Sequence, residues 1–151
     1  MKMPLFLARL KTACSGLAAW LLLSAVLHGA ELKVGAASVD ITPNKAVALW
    51  GQFGLRLSTN PEPPLTANVV ALKSGDVTTT FVCLDLLQLP EVFVRAVRDA
   101  VAKKNGSINL ENIVLTATHT HTAPVLQPGT PGIPVNPQTM TVEETIAYLA
   151  D

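Results

Sequence analysis

Two histidines separated by a single residue have the side-chain type and spacing that most favour chemistry in this sequence. His119 and His121 lie in the stretch Ala-Thr-His-Thr-His-Thr-Ala-Pro, residues 117–124. Side chains of an extended backbone alternate between faces, so residues at i and i+2 share a face. Both imidazoles could then bind one metal ion, or one could bind the metal while the other transfers a proton. The alternative is two surface histidines in a polar, threonine-rich turn.

Further ligands would be needed for a metal site, because such sites use three or four protein ligands. The sequence has no other histidine after His28. Asp85 is the carboxylate that topology favours as a ligand, but a hydrogen bond at a strand end or helix cap is the stronger alternative. Asp40 is expected to hold a turn. Arg56 either pairs with an anionic group or is solvated at the surface.

A strand–helix–strand unit is predicted to position these residues. The pattern indicates a strand over residues 77–84, a helix that begins near Pro90, and a strand over residues 112–118. The connection is long enough for a parallel crossover. Parallel pairing brings the carboxyl ends of both strands to one edge of the sheet, where open α/β sheets carry their sites. Asp85 and His119 are therefore expected at the same edge.

The remaining pattern predicts an α/β fold with a mixed sheet that contains this βαβ crossover. A strand over residues 32–41 opens the domain, and a hairpin joins residues 67–72 to the strand at 77–84. Trp50 and Phe53 are predicted as aromatic anchors of a glycine-containing loop. A proline-rich irregular loop follows residue 124, and a capping box at 141–144 begins a last helix. Because the sequence ends soon afterwards, we expect an incomplete N-terminal portion of a larger catalytic domain.

The first thirty residues have the order of a secretory signal peptide. Lys2, Arg9 and Lys11 precede an apolar run over residues 17–27, and cleavage is expected after Ala30. The chain is therefore expected to be exported, to the periplasm or the extracellular space. The alternative is an uncleaved N-terminal anchor.

The composition of residues 31–151 excludes some classes of partner. Removing the three basic residues of the signal leaves 8 basic and 11 acidic side chains, a formal charge of −3. No basic cluster remains, so a nucleic-acid partner is not expected. No Walker-type glycine pattern and no Gly-x-Ser-x-Gly elbow occurs, so the sequence favours neither a nucleotide-binding loop nor that kind of serine hydrolase.

Several segments, taken in order, resemble the neutral, non-lysosomal ceramidases. The opening strand at residues 34–43, the glycine loop at 50–56 and the strand at 81–85 match that family's pattern. Residues 116–124 resemble its Thr-His-Thr-His-Ser-Gly-Pro signature. Order and spacing agree from about residue 33 to residue 124, which makes the resemblance more specific than a single motif.

The resemblance implies a zinc-dependent amidohydrolase with an α/β catalytic domain. It implies that His119 binds zinc, that His121 lies in the active site near the substrate, and that Gly35 lines the same site. The zinc of such an enzyme activates water for attack on the amide of N-acylsphingosine, which gives a fatty acid and a sphingoid base. The implied partner is a ceramide-like lipid amide, and a peripheral contact with a membrane is compatible with that substrate.

The sequence departs from the family's pattern after the second histidine. Thr122 and Ala123 replace the Ser-Gly of the signature, and a proline-rich loop replaces a glycine-rich continuation. The family's other zinc ligands and its catalytic serine lie farther along a much longer chain, so this chain is expected to be inactive alone. Two alternatives remain: a metal-dependent hydrolase of another amide or ester, and a non-enzymatic secreted fragment or binding module.

Overall fold

The strand–helix–strand unit predicted from the sequence is present in the computed structural model, which describes residues 31–58 and 63–151. The sheet has four strands in the order β1-β4-β5-β6, and a separate ribbon pairs β2 with β3. The strands are β1 (Leu32–Asp40), β2 (Ala48–Leu49), β3 (Arg56–Leu57), β4 (Thr66–Ser74), β5 (Val77–Leu84) and β6 (Ile113–Ala117). The helices are α1 (Glu91–Lys104) and α2 (Val142–Ala150), with a 3-10 turn at Leu110–Asn112.

The hairpin β4–β5 forms because its strands are rich in Val and Thr and its turn carries a glycine. Ser74 pairs with Val77, which leaves Gly75 and Asp76 as a two-residue turn. Gly75 has φ of +56°, the left-handed conformation that a glycine adopts at the first central position of such turns. The expected hairpin is confirmed, and β1 extends it by antiparallel pairing with β4.

The predicted parallel crossover is also confirmed, because β6 pairs in parallel with β5. Helix α1 connects the two strands. It begins after Pro90, with Glu91 in its first turn, and has Lys103 and Lys104 in its last turn. These charges complement the helix dipole. The mixed sheet and crossover are those predicted from the sequence.

The hydrophobic core lies between one face of the sheet and both helices. Phe93 of α1 and Leu86 are fully buried, and Leu84, Ile146 and Leu149 pack in the same cluster. Thr141 caps α2 through the predicted capping box: its hydroxyl accepts from the Glu144 amide at 3.1 Å, and the Glu144 carboxylate accepts from the Thr141 amide at 2.8 Å. Helix α2 therefore starts where the sequence indicates, and its apolar side completes the core.

The opposite face of the sheet carries an apolar row that is partly exposed in the described part of the chain. Val70, Phe81 and Val114 pair across three strands in one row, and each side chain is about 40% exposed. An apolar row that stays this exposed is typical of a part of a larger packed structure.

One feature of the loops differs from the prediction. Phe53 is not an anchor, because its side chain is fully exposed, whereas Trp50 is partly buried against the core. The loop after the second histidine is irregular, as predicted, but it is packed: Leu126 is buried, and the Val125 amide donates to Ala48 O at 2.8 Å. Proline content predicted a lack of regular structure but not this packing.

The structure does not test the predicted signal peptide, and it bears on membrane-spanning helices only within the described residues. The proposed signal peptide at residues 1–30 falls entirely outside the part of the chain that the structure describes. Within residues 31–58 and 63–151, no helix has the length and apolar character needed to cross a bilayer.

Phe93→Ala tests the core. We expect the free energy of unfolding to fall by about 3–5 kcal/mol, because the substitution leaves a cavity in a closed site. Phe53→Ala is the matched control and should change it by less than about 0.5 kcal/mol, since that ring contacts solvent. Urea unfolding followed by circular dichroism measures both. Equal losses in the two variants would contradict the assigned core.

Candidate functional site

The carboxyl edge of the parallel pair β5–β6 carries both histidines. The ladder ends with Leu84 opposite Ala117, and the backbone continues the pairing beyond it. The Thr118 amide donates to Leu84 O at 2.9 Å, and the His119 amide donates to Leu86 O at 3.0 Å. His119 therefore lies at the expected edge, held by main-chain hydrogen bonds that follow directly from the strand register.

The two imidazoles meet, but not through an extended backbone. His119 has φ of +63°, and it is the single non-glycine residue with positive φ in the described ranges. The backbone is therefore not extended here, and the condition under which residues 119 and 121 would share a face is not met, because the chain turns out of the sheet at His119. The ring centroids are nevertheless 5.1 Å apart and the planes are at 86°. A left-handed conformation at a non-glycine residue is unfavourable and is often found at functional sites.

Hydrogen bonds to backbone carbonyls determine which nitrogen of each ring carries a proton. His119 Nδ1 is 2.8 Å from Leu87 O, and His121 Nδ1 is 2.5 Å from Gly51 O. A carbonyl can only accept, so each Nδ1 is the donor. In the neutral rings Nε2 is then unprotonated and can bind a metal ion or accept a proton. Metal-ligating histidines commonly have this second hydrogen bond to a carbonyl.

Asp85 lies at the same edge but is engaged in holding the sheet. Its Oδ2 accepts from the Thr66 hydroxyl at 2.6 Å and from the Thr66 amide at 2.8 Å. The Thr66 hydroxyl is the main cause that lowers the pKa of this carboxyl below its ordinary value. The hydrogen-bonding role that the sequence favoured for Asp85 is thus present.

Asp40 has a similar role at the end of β1. Its Oδ1 accepts from the Thr42 amide at 2.8 Å. Hydrogen bonds from Thr42 lower the pKa of the Asp40 carboxyl. Asp40 therefore holds the turn into the following loop, as expected.

The structure does not bring Gly35 to the two histidines. Gly35 pairs with Ala71, and this row runs through Thr80 to Ile113 at the start of β6. Four residues along the strands separate this row from the row that ends two residues before His119. At about 3.3 Å per residue, the two rows are about 13 Å apart. A Cβ at Gly35 would meet nothing within 4 Å. Its role as a substrate-lining residue stays a prediction.

The described residues fit part of a zinc site and not a whole one. His119 presents an unprotonated Nε2, as a zinc ligand must. Within residues 31–58 and 63–151, no group of three or more His, Cys, Asp or Glu side chains could hold a metal ion. A metal ion bound by His119, or by His119 and His121 together, would therefore need further ligands from outside the described residues.

A cavity of about 690 Å³ lies beside the loop that carries the histidines. Lys45, Arg56 and Thr122 contribute polar groups to its wall, and Val47, Leu49 and Leu65 contribute apolar ones. Neither histidine lines it, so its volume does not by itself identify a catalytic pocket. Arg56 lines the cavity and also contacts the histidine segment, since its Nη2 donates to His121 O at 2.5 Å.

These features define an α/β domain whose mixed sheet carries two imidazoles just beyond its carboxyl edge. Its fold is similar to that of neutral ceramidase. The enzyme from Pseudomonas aeruginosa aligns with a TM-score of 0.59 at 18% identity, over 80% of this chain and 20% of that chain. A ceramidase complexed with C2 aligns with a TM-score of 0.53 at 19% identity, over 80% and 19% of the two chains.

The similarity confirms the predicted resemblance at the level of the fold. The chain spans about a fifth of the length of each of these solved structures. No family model matches the sequence, and no curated protein matches it.

Thr66→Val tests the hydrogen bond at Asp85. We expect the pKa of the Asp85 carboxyl to rise towards its ordinary value, because the variant lacks the hydroxyl that donates to Oδ2. Carbon-13 NMR titration of the carboxyl carbons measures this, and the pKa of Asp40, whose donors belong to Thr42, is the internal control.

The same variant has a predictable effect on stability. The folded pKa of Asp85 is below the unfolded one, so the ionised carboxylate stabilises the fold above the unfolded pKa. That contribution is lost as pH falls through the folded pKa. The difference in unfolding free energy between wild type and Thr66→Val should therefore shrink with acidification, and a constant difference would contradict the assignment.

Proposed function

We propose that this chain is the N-terminal part of an exported, zinc-dependent amidohydrolase of the neutral ceramidase type. The complete enzyme would hydrolyse the amide of N-acylsphingosine to a fatty acid and a sphingoid base. Residues 1–30 would direct export and residues 31–151 would form part of the catalytic domain. The chain alone would be inactive.

The imidazole of His119 carries this proposal. It lies beyond the carboxyl ends of two parallel strands, and Leu87 O holds its Nδ1 proton. Its Nε2 is thereby left as a ligand atom, on a fold similar to that of two ceramidases. The hydrogen bond from Nδ1 to Leu87 O orients the ring before any metal binds, and the main-chain hydrogen bond from the His119 amide to Leu86 O fixes the backbone that carries it. Both lower the entropic cost of ligation.

A second role falls to His121. Bound zinc would supply a water of lowered pKa and would polarise the amide carbonyl. His121 Nε2, unprotonated in the neutral ring, would accept a proton as the carbon–oxygen bond forms. It would return that proton to the amine nitrogen as the carbon–nitrogen bond breaks. The two histidines would thus divide metal binding from proton transfer.

The similarity in fold supports the proposed substrate class. One of the solved ceramidases is described as complexed with C2, and we extend a lipid amide substrate to this chain as part of the proposal. An exported hydrolase of such a lipid would meet its substrate at a membrane surface, which is the basis for a peripheral membrane contact.

His119→Ala and His121→Ala in the complete gene product test this division. We expect His119→Ala to lose stoichiometric zinc and hydrolysis of a fluorescent ceramide, because a ligand is removed. His121→Ala should keep its zinc while kcat falls by about 10²–10⁴-fold, the usual contribution of a general acid–base group. Metal content by mass spectrometry and initial rates are the measurements.

Chelation is the control for both variants. Wild-type hydrolysis should stop with a chelator and return with added zinc. Cleavage that a chelator does not affect, or full zinc in His119→Ala, would refute the proposal. A complete gene product without zinc or hydrolysis would favour a non-enzymatic secreted fragment or binding module. One firmly bound zinc in residues 31–151 alone would contradict the inactivity of the fragment.

A different amide or ester substrate is the second candidate. The observation that favours it is at residues 122–123, where Thr and Ala replace the Ser-Gly of the signature. Ala123 is fully buried, so this change affects how the loop after His121 packs. A panel of N-acyl amides and esters should then rank another compound above ceramide in kcat/KM. Ceramide as the best substrate would eliminate this candidate.

A further inference from the structure

One loop holds His121 from two directions. We call residues 51–56, which run from the connection after β2 to the first residue of β3, the clamp loop. Gly51 at its start accepts from His121 Nδ1 at 2.5 Å. Arg56 at its end donates from Nη2 to the main-chain oxygen of His121, also at 2.5 Å. The first contact determines the protonated nitrogen of the ring, and the second fixes the backbone that carries it.

The first contact requires a glycine at position 51. Gly51 has φ of +93°, and a Cβ there would lie 2.7 Å from His121 Nδ1 and 2.8 Å from its Cγ. Real Cβ atoms do not approach ring atoms so closely, so any other residue would displace the imidazole. The ring of His121 is therefore seated directly against the backbone of the clamp loop. Gly54 in the same loop has open space at its Cβ position.

The second contact uses a guanidinium that is incompletely paired. Arg56 Nε is buried and has no hydrogen-bond partner among the described residues. A desolvated donor without an acceptor is unfavourable for stability, so stability of the fold alone does not explain this placement. Arg56 instead connects the β2–β3 ribbon to the segment that carries His121.

His119 is held independently of this loop. Its Nδ1 donates to Leu87 O, in the segment that follows β5. The two rings are only 5.1 Å apart, yet their hydrogen-bond acceptors come from different parts of the sequence. A change in the clamp loop should therefore alter the tautomer of His121 and not that of His119.

We propose that Gly51 and Arg56 are positioning residues that hold His121 as the Nδ1–H tautomer with Nε2 free to accept a proton. The catalytic meaning of this tautomer rests on the function proposed above for His121. The tautomer itself does not, because it depends on hydrogen bonds that exist without metal or substrate.

Nitrogen-15 NMR of the imidazoles in the full 151-residue chain, without metal, tests the proposal at a pH where both rings are neutral. In the wild type, both histidines should show a protonated Nδ1 and an unprotonated Nε2. In Gly51→Ala, the two nitrogen shifts of His121 should move towards each other, as in a mixture of tautomers, while His119 keeps the pattern of a protonated Nδ1 and an unprotonated Nε2. Gly54→Ala is the matched control and should leave both rings as in the wild type.

Arg56 provides an independent pair of variants. Arg56→Met keeps the length of the side chain but removes its donors, and it should shift His121 towards the mixture. Arg56→Lys retains a donor for His121 O and should restore much of the Nδ1–H form. A protonated Nε2 on wild-type His121, or an unchanged His121 in both Gly51→Ala and Arg56→Met, would overturn the proposal. Since zinc and ceramide are absent, failure of the proposed function would leave these spectra unaffected.

Discussion

The parallel pairing of β5 with β6 is the constraint on which the rest of the candidate site depends. It places Leu84 beside Ala117, and the next two hydrogen bonds bring the His119 amide to Leu86 O. A shift of one residue in this register would exchange the faces of β6 and remove Ile113 and Leu115 from the buried side. The position of His119 is thus tied to the burial of the sheet. Helix α1, with Phe93 in the core, maintains the pairing from one side.

Backbone carbonyls, more than side chains, organise the two histidines. Leu87 O and Gly51 O select the same tautomer in both rings although they belong to segments far apart in the sequence. A carbonyl is a suitable partner because it cannot donate, so the choice of protonated nitrogen is unambiguous. The carboxylates near the site have a different role: Asp85 joins β4 to the end of β5 through Thr66, and Asp40 stabilises a turn. Their charges are used to hold strand ends.

The chain covers about a fifth of the ceramidase structures, and the partly exposed apolar row on its sheet is consistent with this partial coverage. A row of Val70, Phe81 and Val114 remains exposed, while the opposite face has both helices. In a larger domain such a row would be buried, and each of its side chains would then add to stability through the area removed from water. The described residues thus contain the side of a core on which β4, β5 and β6 pack against the helices, together with the loops of the histidine site.

Local patterns in the sequence were sufficient for the hairpin, α1, the capping box of α2 and the crossover, because each depends on neighbouring residues and on hydrophobic periodicity. The edge shared by Asp85 and His119 followed from these elements. Local patterns did not predict the left-handed turn at His119, the exposure of Phe53 or the distance of Gly35 from the site. They also did not predict the contacts of the clamp loop with His121. These features arise from hydrogen bonds and packing between residues up to 70 positions apart. Such contacts form only when the chain is folded, and no local pattern of residues encodes them.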